Sequence, residues 1–535
     1  MSFRNDSSNL SRFNALAPNR LRRRILRGTA GGLLLPVGYR SASAQSEGAT
    51  RLLRLPKTAL VIGNSKYEDA PLKNPANDAR AIAAQLKQSG FEVSLQMDVA
   101  REPMTRAIEA YAALLAKTKA IGLFYFAGHG VQLAWRNFLL PVDAVIDKME
   151  DIPRQCVDVG TLIAGITKAA NAMNMVILDA CRDNPFGNVR KIDQKGLSQL
   201  DAPPGTFLAY ATSPGNVASD GDGANGLYTE NLLRELKVPE AKIEDVFKRV
   251  RLGVRRRSNG QQIPWESTSL EEDFYFLPPK ELHRLSEQEV QKLYEAESAI
   301  WENIKGSTVP APLEDYLRRY PSGKFSELAQ LQLDRVLAKQ GEKKIRIESN
   351  AANPFSKGTG VLNQDYKIGD SYAYRVVDTL TRVERTQITD TVEKLTDGEI
   401  IYSSGLITDY AGNYRILRNR NRQSSNQYFP AEYAVGKRWE SRSAVVMPNG
   451  LQGFNEMSCH ITARESITVP AGTFNAFRIE YSGYSTWPTF RVSIERRTWM
   501  APDRLRLPVV IEILQRRGNK ITNADREELV SFKEG

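Results

Sequence analysis

Short unbroken apolar runs alternate with amphipathic stretches through the first half of the chain. Residues 58–63, 121–126, 176–178 and 206–210 are apolar and rich in β-branched or aromatic residues, which predicts buried strands, and residues 91–97 read as a further strand. Between them, residues 76–88 carry Ala79, Ile82, Ala83 and Leu86 at helical spacing, with Gly90 placed to end the helix. Residues 103–117 repeat the pattern with Ile108, Tyr111, Leu114 and Leu115, and residues 159–170, 228–236 and 243–255 are further helices. The alternation predicts an α/β domain over residues 57–278, a mainly parallel sheet flanked by helices, ending at Phe276 before Pro278-Pro279. Residues 45–56 read as a linker, and Phe138 to Pro141 as a short extension of the third strand.

The pattern then changes twice. Residues 281–345 are charged, helical in spacing and punctuated by Pro310, Pro312 and Pro321, which predicts a helical spacer. Within it, Tyr316, Leu317, Tyr320, Pro321, Phe325, Leu328 and Ala329 resemble one unit of a tetratricopeptide-type repeat, and one unit is not an array. Residues 350–535 hold short strand-like runs at 372–377, 399–402, 466–469, 477–481 and 509–514. Pro448-Asn449-Gly450 and Pro470-Ala471-Gly472 supply turns, so this C-terminal β-rich domain reads as an antiparallel sandwich or curved sheet. It offers no catalytic constellation, and its default role is to bind a protein partner.

Charge changes the picture only at the amino terminus. Of the formal +11, seven net charges fall in residues 1–44, leaving too little on the rest for a nucleic-acid partner. Arg22-Arg23-Arg24-Ile25-Leu26-Arg27 resembles a twin-arginine export motif. A weakly apolar stretch and then Ala42-Ser43-Ala44 follow, so residues 1–44 are expected to be a signal peptide cut before Gln45, with a periplasmic or secreted product. The apolar stretch is too short to span a bilayer, and no stable membrane span is expected elsewhere. Cys156, Cys181 and Cys459 are no disulfide framework, although one bridge would fit an oxidising compartment. With His129, His283 and His460 they show no zinc-ligand spacing, so no metal and no cofactor are expected.

The candidate chemistry lies at two strand ends. Val176-Ile177-Leu178 is followed by Asp179-Ala180-Cys181, and Phe124-Tyr125-Phe126 by Ala127-Gly128-His129-Gly130. In open α/β sheets, sites collect at the carboxyl ends of strands. Alone, such a cysteine is a small core residue and such a histidine a capping group. Together they supply a nucleophile and a proton acceptor. The backbone N–H groups of Gly130 and Cys181 are the candidate oxyanion donors.

These residues resemble the caspase-like peptidases, and in particular bacterial paracaspase-like and metacaspase-like members. Those enzymes place a His-Gly roughly 50 residues before the nucleophile, and His129 precedes Cys181 by 52. Asp179 to Phe186 looks like their cysteine motif and Phe124 to Gly130 like their histidine motif. Leu60 to Asn64, Asn77-Asp78-Ala79, Tyr210 to Gly215 and Gly226 to Thr229 extend the likeness in the right order. The resemblance implies a caspase-type fold with His129 and Cys181 as the catalytic dyad. It also implies an acidic pocket for arginine or lysine, built from Asp78 and Asp179, with Asp220 as a looser third match. The pocket acids have plain alternatives: a first-turn carboxylate on a helix dipole for Asp78, a strand-end cap for Asp179. Metacaspases often need calcium and paracaspases do not. No EF-hand loop is present, and Arg182 with Asn184-Pro185 leans to the paracaspase side. The expected function is thus an exported cysteine endopeptidase acting on proteins or peptides after Arg or Lys. The alternative is a catalytically silent caspase-like scaffold whose β-rich domain binds a partner. An exposed, basic segment at 187–199 is a candidate for self-cleavage.

Overall fold

In the computed structural model, the described residues are 42–181, 196–213, 216, 223–281, 285–342, 353–356 and 358–535. The leader up to Ser41, His283, Asp220 and most of the segment 187–199 lie outside them. The first helix, α1 (Ala42–Leu53), occupies most of the stretch expected to be a linker. Ala49 and Leu52 are buried, three apart on one face, and that pairing is enough to fold a segment whose Gly48 argues against a helix.

The elements that follow are β1 (Lys57–Gly63), α2 (Pro75–Gln88), β2 (Glu92–Met97), α3 (Arg101–Thr118), β3 (Ile121–Leu133) and β4 (Arg136–Leu139). Then come α4 (Ile152–Gln155), β5 (Val157–Asp158), α5 (Val159–Ala169), β6 (Asn174–Cys181), β7 (Thr206–Tyr210), α6 (Leu227–Glu235), α7 (Ile243–Arg257) and β8 (Trp265–Thr268). The sheet order is β2-β1-β3-β6-β7-β8, parallel except for β8 at one edge, with β4 and β5 branching from β3. The expected caspase-type layering is therefore present. β3 runs through the centre, buried from Ile121 to Gln132, because helices cover both faces of a parallel sheet. The buried stripe of α2 includes Ala79, Ile82, Ala83 and Leu86, as the spacing predicts. On α3 the stripe is Met104, Ile108, Tyr111 and Leu115, while Leu114 points outward, one position off the face.

The expected spacer is instead a packed joint. Helices α8 (Glu287–Ile304), α9 (Pro310–Arg319) and α10 (Ser326–Lys339) bury Trp301, Tyr316 and Phe325 together. The Trp301 and Phe325 rings stack at 5.9 Å. Leu252 of α7 and Met457, Phe477 and Tyr481 of the C-terminal domain belong to the same apolar cluster. Ion pairs reinforce it: Arg251 bonds Glu266 at 2.7 Å and Glu432 at 3.0 Å, and Arg255 bonds Asp334 at 2.6 Å and Glu342 at 2.8 Å. Ser286 caps α8, its hydroxyl accepting from the Glu289 N–H while the Glu289 carboxylate accepts from the Ser286 N–H.

The C-terminal domain begins with β9 (Thr359–Val361), β10 (Ser371–Asp378), β11 (Glu384–Leu395), β12 (Ile400–Tyr402), β13 (Ile407–Thr408), β14 (Tyr414–Ile416) and β15 (Arg422–Gln423). It continues with β16 (Glu432–Ala434), β17 (Arg438–Val446), β18 (Gln452–Val469), β19 (Gly472–Thr486), β20 (Arg491–Met500), β21 (Val510–Arg517) and β22 (Lys520–Lys533). Twelve of these strands form one antiparallel sheet that curves until it closes into a barrel, the expected curved sheet rather than a sandwich; β9 and β16 pair separately. Closure rests on β10 pairing with β22, Tyr372 opposite Phe532, a contact between the two ends of the domain that no local pattern announces. The chain entering the barrel also clips to the caspase-type domain. Asn353 Nδ2 donates to the Gln199 carbonyl at 2.9 Å, the Asp201 N–H donates to the Phe355 carbonyl at 3.0 Å, and Ser356 Oγ donates to Asp201 at 2.8 Å.

The joint yields the first prediction. Phe325→Ala empties a fully buried site shared by the helices and both flanking domains, and should cost about 3–5 kcal/mol of stability. Leu114→Ser on the outer face of α3 should cost less than about 0.5 kcal/mol. Calorimetry on the two variants checks the contrast; equal melting temperatures would contradict the packing described.

Candidate active site

The site is built by a break in register. β3 and β6 run parallel with Phe126 opposite Leu178 and Ala127 opposite Asp179, and then Gly130 is opposite Cys181. Three steps along β3 match two along β6, so one extra residue is accommodated at Gly128-His129. Such a bulge bends a strand and re-aims a side chain. Close packing decides which residues flank His129. A Cβ on Gly128 would lie 2.5 Å from Tyr67 Oη, and one on Gly130 would lie 2.6 Å from the Ala180 carbonyl oxygen. Gly130 is therefore small because β6 approaches it, a reason additional to leaving room for a substrate carbonyl. Past the bulge, β3 turns back into β4 through Ala134 and Trp135, both with left-handed backbone, at φ 49° and 66°. Non-glycine residues in that region are strained; Ser198 Oγ donates to the Trp135 carbonyl at 2.6 Å and helps to hold the turn.

His129 is buried, its ring 4.5 Å from that of Tyr67. Its backbone N–H donates to Tyr67 Oη at 3.0 Å, and Tyr67 Oη donates in turn to the Leu140 carbonyl at 3.1 Å. The ring Nε2 is 2.7 Å from the Ala70 carbonyl oxygen. A carbonyl only accepts, so Nε2 carries a proton and the basic lone pair of the neutral ring is at Nδ1. Cys181 closes β6, its backbone in register with Gly130, the neighbour of His129; its side chain lies outside the described residues. The other two cysteines are buried and free, so no bridge joins them. Burial pushes the Cys156 thiol up to about 12, away from reactivity, and raises the Cys459 thiol as well.

The two described candidate pocket acids converge. Asp78, in the first turn of α2, is fully buried, and its Oδ1 accepts from Asn225 Nδ2 and from the Gly226 N–H, both at 2.9 Å. It thus ties the start of α2 to the start of α6, which is more than a first-turn dipole contact. Asp179 is also buried, and its Oδ2 accepts from Thr229 Oγ1 at 2.9 Å. Thr229 Oγ1 lies 2.6 Å from Tyr125 Oη. The single threonine proton goes to Asp179, so Tyr125 donates to Thr229. Burial raises the Tyr125 hydroxyl well above its ordinary range, and the nearby charges of Asp179 and then Asp78 raise it further. Tyr125, Thr229 and Asn225 are the partners that sequence reasoning did not single out. Thr229 sits inside the quoted Gly226 to Thr229 motif, but its contact with Asp179 exists only once α6 packs over β6.

Comparison with known proteins agrees with this geometry. Residues 56–275 match the family model described as the caspase domain. The human mucosa-associated lymphoid tissue lymphoma translocation protein 1 is 29% identical over 191 residues, which cover 34% of this chain and 22% of that protein. The mouse homologue matches at the same identity and coverage. The chain thus spans about a fifth of the length of these curated relatives. With the parallel sheet, the bulged His129 strand and the Cys181 strand end in place, residues 56–275 are a caspase-like domain.

Proposed function

We propose that the protein is an exported cysteine endopeptidase that cuts after arginine or lysine, with Cys181 as nucleophile and His129 as its proton acceptor. The observation that carries the reading is the bulge that places His129 one residue from the backbone partner of Cys181. The Ala70 carbonyl leaves Nδ1 as the acceptor. The thiol proton passes to Nδ1, the sulfur attacks the scissile carbonyl carbon, and backbone N–H groups at Gly130 and Cys181 steady the oxyanion. The imidazolium then protonates the leaving amine, and water attacks the thioester to release the acid and the free thiol. Replacing either residue by Ala should abolish hydrolysis of a peptide substrate with the melting temperature retained. Activity persisting in purified Cys181→Ala protein removes the nucleophile assignment.

Specificity follows from charge. Asp78 and Asp179 place two buried carboxylates about Tyr125 and Thr229, an environment that favours a guanidinium or ammonium over a carboxylate. A panel of peptides differing only in Arg, Lys or Asp before the cleaved bond should be cut after the basic residues. Cleavage after Asp as fast as after Arg overturns the acidic pocket, and no cleavage at all by folded protein returns the silent-scaffold reading.

Asp179→Asn removes a charge in a desolvated site and should cost about 2–5 kcal/mol, or a factor of about thirty or more in kcat/KM on arginine substrates. Thr229→Val withdraws the donor to the same carboxylate and should cost roughly tenfold or more on the same substrates. If steady-state kinetics find Thr229→Val unchanged, the hydroxyl plays no part in the pocket.

Export is supported by Arg22-Arg23 and the small residues at Ala42 and Ala44. Cleavage there keeps Ala49 and Leu52, the buried contacts of α1, in the mature protein. Mass spectrometry of the native amino terminus should find Gln45; an uncut Met1 start on exported chains contradicts the cleavage site.

A further inference from the structure

The barrel has two unlike ends. Six connections lie at one end: residues 379–383, 403–406, 417–421, 447–451, 487–490 and 518–519. None contains a carboxylate. The connections at the other end carry Asp397, Glu399, Asp409, Glu432 and Asp503. That acidic end meets the rest of the molecule, through Arg251 to Glu432, and Asn353 and Phe355 to the segment 199–201. The carboxylate-free end points away from these contacts.

On the barrel wall the bases are neutralised. Arg385 pairs with Asp378, Arg516 with Glu495 and Arg526 with Glu512. At the tips, apart from Arg418, which reaches back to Asp390 and Glu527, they are not. Among the described residues, no ion pair engages Arg382, Arg420, Arg422, Arg491, Arg517 or Lys520, all of them exposed. Two of these lie over aromatic rings, Arg517 at 4.6 Å from the Phe490 centroid and Arg491 at 3.8 Å from that of Tyr484. Aliphatic residues share the same end: Leu380 is 63% exposed and Val383 60%, on either side of Arg382 on one hairpin tip, and Ile521 is 38% exposed beside Lys520. The nearest exposed acid below that tip is Glu384, opposite Val377.

We propose that this end of the barrel docks on an anionic lipid surface, with Leu380 and Val383 entering the acyl boundary and the unpaired bases meeting the headgroups. Bases without counter-ions gain from a negatively charged surface. Projecting aliphatic side chains gain only where hydrocarbon receives them. Nucleic acid would take up the bases and leave Leu380 and Val383 in water, which is why lipid is favoured. The proposed contact is made by the connections at this end of the barrel, with the caspase domain at the far end.

The test is flotation of the full chain with vesicles of phosphatidylcholine, alone or mixed with phosphatidylglycerol. Binding is expected to the mixed vesicles, weakening as salt rises. The triple variant Arg382→Glu, Arg420→Glu, Arg517→Glu should bind roughly tenfold more weakly or worse. The double variant Leu380→Ser, Val383→Ser should also bind less and keep its salt dependence. Peptide hydrolysis and melting temperature serve as controls and should match the parent in both, and the binding readout does not depend on peptidase activity. Equal recovery with neutral and anionic vesicles, or undiminished binding by the triple variant, overturns the proposal. So does a DNA duplex that displaces the vesicles and is bound equally by the parent and the Leu380/Val383 variant, which would assign the bases to nucleic acid.

Discussion

The central strand β3 has to satisfy incompatible partners, and the site follows from how it does so. For its first half it is a parallel strand clamped between β1 and β6. Beyond Ala127 it must lift away and become the first strand of an antiparallel hairpin with β4. At the changeover one extra residue is inserted in β3 relative to β6. His129 is at that changeover. Its backbone N–H, no longer bonded in the ladder, is taken by Tyr67, and its carbonyl by the Leu140 N–H. The histidine is thus held through its main chain as well as its ring, by loops from both sides of the sheet.

The same economy appears around the acids. A buried carboxylate is costly unless several donors meet it. Asp78 is met by an amide side chain and a helix-start N–H, and Asp179 by a threonine hydroxyl that is itself held by Tyr125. All these donors come from β3 or from the beginning of α6. The position of α6 over the strand ends is what keeps two negative charges at the same edge of the sheet as His129.

Farther out, α7 couples the domains. Its inner face packs on the caspase-type sheet, and its arginines reach outward to the helices and the barrel. Ion pairs that cross such a joint are strongly destabilising to break singly, since each leaves an unmatched charge half-buried. Apolar contact among Leu252, Trp301 and Phe325 supplies the area, and the ion pairs fix the geometry. The barrel is thereby anchored at its acidic end.

How much of this was legible beforehand differs by element. Residues 58–63, 121–126 and 206–210 declare buried strands because two-sided burial demands unbroken apolar runs, and His129 and Cys181 stand out as candidates because each follows such a run. Leu114 lies at the margin of the α3 stripe, where spacing alone does not decide which side a residue falls on, and packing leaves it exposed. The barrel was legible only as short strands. Arg, Glu and Thr alternate with apolar residues on walls that are half wet, and closure depends on β10 finding β22 across the whole domain. The packing of the helices between the domains is hidden for a related reason, since Trp301 and Phe325 look like isolated aromatics until the helices bring them together. Sequence by itself determined the main strands and helices of residues 57–278 and marked His129 and Cys181 as candidates, because these depend on local periodicity and on strand-end position. Tertiary structure alone decided the bulge at His129, the meeting of Asp78 with Asp179, the closed barrel and its unlike ends, because each arises from contacts between segments distant along the chain.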